Sequence, residues 1–178
     1  MEELIMTLME AMKVYLKKQE LLYKKTFGTL PTISWDESLP QNLFVGTPDE
    51  DDEIQWTPKA ASQETYHELC KELNLFYCTF YYWTLRGKFQ DFSLDFPPVP
   101  TSFDRKKVIE QAVKDGNYYF PGQNTVLLAS CSKAGNDDLL LFYRQKTGEL
   151  FIYDTDKRFL FPLEVSLVNL IGSMEAEI

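Results

Sequence analysis

The spacing of apolar residues changes several times along the chain, and each change marks an element. Leu4, Leu8, Met12, Tyr15 and Leu22 recur close to the helical period, so residues 2 to about 26 are predicted to form one amphipathic helix. Lys13, Lys17, Lys18, Lys24 and Lys25 crowd its second half, where the helix dipole is negative, and Gly28 and Pro31 stop it. From 28 to 62 no period survives. Pro31, Pro40, Pro48 and Pro58 punctuate this stretch and predict an irregular segment, with Trp35 and Trp56 as apolar anchors. Ser62 to Leu73 reads as a short helix capped by Ser62. Leu75 to Leu85, dense in aromatic residues, reads as a strand. Arg86-Gly87 reads as the turn of a hairpin whose second arm, Lys88 to Phe96, alternates. After Pro97, Pro98 and Pro100, Ser102 opens a predicted helix to about Lys114, ended by Gly116-Asn117. Three strands follow, Thr125 to Ser130, Asp138 to Arg144 and Glu149 to Asp154, the last two joined through Gln145 to Gly148. A helix from Pro162 to Met174 closes the chain.

Strands in runs with helices beside them predict an α+β fold: a single domain over 1–178, with a mostly antiparallel sheet of about five strands. Charge then narrows the function. The chain has 27 Asp and Glu against 18 Lys and Arg, a net charge of −9, which repels phosphate backbones and favours a basic protein partner over nucleic acid. The many aromatic residues of the hairpin could stack bases, but they lack the accompanying cations and are read as core. His67 is the one histidine, and Tyr66-His67-Glu68-Leu69-Cys70-Lys71 is not a zincin helix. Cys70, Cys78 and Cys131 have no CxxC spacing and are expected as reduced thiols. No dinucleotide, Walker A or nucleophile-elbow sequence occurs, so no cofactor, metal or catalytic residue is assigned and a binding protein is preferred to a hydrolase. The acidic start Met1-Glu2-Glu3 differs from a signal peptide, and no apolar run is long enough to span a membrane; a cytoplasmic location with no transmembrane segment is expected.

The densest charge is Asp49-Glu50-Asp51-Asp52-Glu53. Such runs are commonly solvated loops. Calcium is a poor fit because the glycine and distal glutamate of an EF-hand loop are missing. A docking surface for a basic partner is the sharper reading. Asp137 and Asp138 join this candidate contact set, with Trp56 as an apolar anchor.

The succession Phe27-Gly28-Thr29-Leu30-Pro31, the acidic loop before Ile54-Gln55-Trp56-Thr57-Pro58, Leu75 to Tyr81, Thr125 to Leu128, and Lys146-Thr147-Gly148-Glu149-Leu150 resembles the SUKH superfamily, in its Syd branch, over almost the whole length. The central helix departs from the Syd pattern: Pro100 to Ala112 keeps only its Phe and Asp character. The resemblance implies a non-enzymatic binder. In one reading it is an immunity protein that neutralises a cognate toxin domain. In the other it is a Syd that meets the basic cytosolic loops of SecY and associates peripherally with the inner face of the membrane.

Overall fold

The computed structural model describes residues 6–178; Leu4 and the acidic start of the first predicted helix lie outside them. Helix α1 runs Leu8–Phe27. Thr7 caps it in a capping box with Glu10, and Gly28 in the left-handed region closes it. Leu8, Met12 and Tyr15 of the predicted stripe are buried, joined by Ala11, while Leu22 is half-buried.

The segment read as irregular is instead a small antiparallel sheet. Strands β1 (Thr32–Ser34), β2 (Phe44–Val45) and β3 (Glu53–Trp56) lie in the order β1-β3-β2. Prolines and polar residues hide strands this short from any pattern. β4 (Lys59–Ala60) pairs with β5 (Phe80–Tyr81).

The largest correction concerns 62–85. Ser62 does not cap a helix; its hydroxyl meets the Tyr81 hydroxyl at 2.8 Å. Helix α2 occupies Lys71–Thr79, so it runs from the end of the predicted helix into the first half of the predicted strand, Leu75 to Thr79. Asn74 holds the preceding turn: its carboxamide oxygen accepts the Tyr66 N–H, and its NH₂ donates to the carbonyls of Tyr66, Leu69 and Cys70. Leu73, Phe76, Tyr77, Cys78 and Thr79 are all buried. A helix enclosed on most sides has no polar stripe, so its sequence looks like a strand.

The hairpin also shifts. β6 (Leu85–Phe89) and β7 (Phe92–Phe96) turn at Gln90-Asp91, not at Arg86-Gly87. Gly87 sits inside β6 because a Cβ there would come within 2.9 Å of the Tyr15 ring and of the Glu175 carbonyl. Helix α3 spans Ser102–Tyr119 with Thr101 as its cap, and passes through Gly116 without stopping. There the missing Cβ lets the helix backbone lie against Thr125; a methyl group would sit 1.8 Å from that carbonyl oxygen. β8 (Thr125–Lys133), β9 (Asn136–Arg144) and β10 (Glu149–Asp154) follow the expected order, the first two longer than predicted. β11 (Phe159–Pro162) was not foreseen. The last helix, α4, is confined to Leu167–Ser173, capped by Ser166, before β12 (Glu175–Ala176).

The main sheet has seven antiparallel strands in the order β11-β10-β9-β8-β7-β6-β12, and the fold is α+β. Its two faces differ. One carries Leu85, Leu94, Phe96, Cys131, Leu141, Leu150 and Ile152, all buried in the hydrophobic core shared with α1, α2 and α4. The other is covered only in part, by α3. At its closed end Phe120 packs on Phe142, Phe151 and Tyr153, with centroids 5.0 to 5.3 Å apart. Towards β7 and β6 this second face is open.

Candidate protein-binding surfaces

The acidic run occupies the β2–β3 connection, and the fold tightens it. The Asp49 carboxylate accepts the N–H groups of Asp51 and Glu53, both at 2.9 Å, so that one acid of the five is consumed in shaping the loop. Glu53 is half-buried and accepts the Ser34 hydroxyl at 3.2 Å. Glu50, Asp51 and Asp52 are exposed and face solvent. The loop is joined to the segment after β1 by the Trp35 N–H, which donates to the Asp52 carbonyl at 2.6 Å. That bond brings exposed Asp36 and Glu37 to the same end of the small sheet. Seven carboxylates therefore share one lobe, and no lysine or arginine lies between Lys25 and Lys59. Half-buried Trp35 stands among them.

Trp56 does not serve as the expected anchor. It is 0% exposed, at the end of β3 inside the core, and its indole N–H has no partner among the described residues. β3 alternates half-buried and buried positions, and the even side points inward. Asp137 and Asp138 are exposed near the start of β9 in the main sheet, just after the β8–β9 turn. Among the described residues no hydrogen bond connects them to the 49–53 run. The candidate set thus divides into an acidic lobe and a separate pair.

The structure adds two features that sequence reading missed. The first is Arg105, fully buried near the start of α3. Its Nε donates to the Tyr66 hydroxyl at 3.1 Å, Nη1 to the Ser62 carbonyl at 2.7 Å, and Nη2 to Ser62 Oγ and Glu64 Oε2 at 3.1 and 3.2 Å. The guanidinium also lies against the rings of Tyr66 and Tyr81. With four hydrogen bonds from its three nitrogens, this arginine is a clamp that fastens α3 to the 62–66 segment. In the sequence it was hidden at the head of Arg105-Lys106-Lys107, which resembles a solvated run.

The second feature is a trough on the open half of the sheet. One part is a cavity of about 550 Å³ between α3 and the sheet, with Pro97, Val108, Ala112, Leu127 and Leu140 among its apolar walls. The other is a smaller hollow of about 190 Å³ lined by Arg86, Ser93, Ser130, Ser132 and Asp137. Asp95 and Ser130 line both. The alternation of β7 placed Asp95 opposite the core, but nothing local announced the cavity beside it.

His67 is exposed and all three cysteines are free. Cys131 is buried, and burial pushes its thiol well above the usual range, which suppresses the reactive thiolate. Among the described residues no group of three or more potential ligands is placed to hold a metal ion, and no helix is long and apolar enough to cross a membrane. Comparison with protein-family models and with curated proteins returns no match.

Proposed function

We propose that this chain is a non-enzymatic binding domain that recognises a basic protein partner, and that the partner is a toxin domain which it neutralises as an immunity protein. The carrying observation is the acidic lobe: Asp36, Glu37 and the 49–53 run gathered by one backbone hydrogen bond, with no cation in the intervening sequence. Opposite charge steers such a pair together and raises the association rate. Among the described residues the exposed carboxylates of Glu50, Asp51 and Asp52 have no lysine or arginine partner to displace before they meet a cationic surface. The ordering of the lobe by Asp49 lowers the entropy cost of binding. The resemblance to the SUKH superfamily supports the same class of function. Its Syd branch offers the second reading, in which the basic partner is a cytosolic loop of SecY.

The test is purification of the tagged chain from its own cells at low salt, beside the triple variant Glu50→Lys, Asp51→Lys, Asp52→Lys. Co-purification of a basic toxin domain with the wild type, and its loss with the variant, is the expected result. Recovery of SecY in the same pattern moves the partner to the translocon. Equal recovery of the same partner by both proteins overturns the assignment to the lobe.

A further inference from the structure

The trough poses a charge question that the acidic lobe does not answer. Asp95 stands where its apolar and polar halves meet. Its carboxylate has neither a hydrogen-bond partner nor an ion partner among the described residues. The two cations nearest along the trough are both drawn elsewhere. Arg86, across from Asp95 in the β6–β7 register, leans 3.8 Å from Glu177. The Lys107 ammonium lies 4.3 Å from the centre of the Phe103 ring. The other acids here are Asp137, in the smaller hollow, Glu177, whose Oε1 accepts the Ser93 hydroxyl at 2.8 Å, and Asp115, whose Oδ1 accepts the Gln111 side chain at 2.7 Å. Asp95 is exposed, but partial desolvation still raises its carboxyl above its ordinary range despite the opposing influence of Arg86. A carboxylate without a partner, flanked by aliphatic walls, is complementary to a cation on an aliphatic stem.

We infer that the trough between α3 and the open sheet face receives a lysine side chain of the partner protein, its methylene stem on Val108, Ala112, Leu127 and Leu140 and its ammonium on Asp95. Lysine is a compact charge on a long flexible stem, and its methylenes lie along apolar surface while the head stays polar. Ser93 and Ser130 offer hydroxyl oxygens near the head. This inference rests on the basic-partner reading and supplies the point at which charge steering becomes a fixed contact.

The probe is acetyl-hexalysine amide, titrated at low salt and followed by amide-resolved NMR. Shifts are expected at Asp95, Ser130, Leu140 and Ala112. Asp95→Asn should weaken the trough affinity about tenfold, the size of one charge-assisted contact. Leu140→Ser, which leaves the carboxylate in place, should weaken it as well. A hexamer of diaminobutyric acid carries its charges on stems two methylenes shorter and should bind the trough about tenfold more weakly. Shifts confined to 49–53, or full affinity for both the Asp95→Asn protein and the short-stemmed hexamer, would overturn the inference. The Glu50→Lys, Asp51→Lys, Asp52→Lys protein separates the two levels. Its trough affinity should stay within about twofold of wild type once long-range attraction is screened by salt. Loss of the partner by that triple variant, with Asp95→Asn without effect, removes the trough and keeps the partner reading. The reverse pattern removes the lobe.

Discussion

The two faces of the seven-stranded sheet are made from the same strands and serve different ends. The face beneath α1, α2 and α4 is filled: Leu94, Leu141 and Ile152 are each 0% exposed, and Gly87 is small because Tyr15, Met174 and the Glu175 carbonyl of β12 press on it. The face beneath α3 is closed over Phe142 and Phe151 and left open over Asp95, Ser130 and Ser132. Alternation along each strand makes the division. In β7, Phe92, Leu94 and Phe96 go one way and Ser93 and Asp95 the other. The lesson is that packing decides the first face and leaves the second free to carry polar groups that contribute little to stability. Binding chemistry belongs where packing makes no demand.

The comparison is broken most severely from the closed face. Leu94→Ala removes a fully enclosed side chain and should cost about 2 to 5 kcal/mol in chemical denaturation, while Ser132→Ala, across the same strands on the open face, should stay within about 0.5 kcal/mol. Equal losses at the two positions would contradict the division. The seam between the faces comes next. Gly116→Ala sets a methyl group against the Thr125 carbonyl and should cost about 1 to 3 kcal/mol by prising α3 from β8. A stability equal to wild type would mean that α3 lies less tightly on the sheet than described.

The smallest effect on stability sharpens the comparison most. Asp95 is exposed, yet partial desolvation beside the apolar wall of the trough raises its carboxyl, so between its ordinary and its raised range the folded chain holds the proton more firmly than the unfolded chain does. Stability therefore falls as pH rises through that window. Asp95→Asn removes the effect, so the variant should melt no lower than wild type at pH 7, and its advantage should vanish at pH values below the ordinary carboxylate range. Asp137, Asp115, Arg86 and Lys107 surround this position, and the comparison is made with all four in place. A variant that melts lower at pH 7 would give Asp95 a structural role and weaken its reading as a binding group.

Much of this fold was legible in the sequence where the signal is local. Helix α1 has a clean apolar stripe, and β9 and β10 are bounded by a glycine-containing loop. Elements failed where the surroundings override local preference. Leu75 to Thr79 is rich in apolar residues because this part of its helix is enclosed on most sides, and it therefore imitates a strand. Gly116 was taken for a stop and is a contact. Phe159 to Pro162 is exposed on both sides of its strand, so no alternation marked it. The candidate site was legible in one part. The 49–53 run declares itself by charge, whereas Asp36 and Glu37 join it only through a hydrogen bond that folding creates. Trp56 was chosen for its size, which is equally a reason to bury it. The trough depends on α3 covering half of a face, and no window of sequence contains that arrangement.

The central claim is that the acidic lobe captures a basic partner. Its most direct test is the association rate of wild type and the Glu50→Lys, Asp51→Lys, Asp52→Lys protein with the purified partner, measured across ionic strength. The account predicts a fast rate for wild type that falls steeply with salt, and a slower, nearly flat rate for the variant. Coincident curves for the two proteins would contradict it.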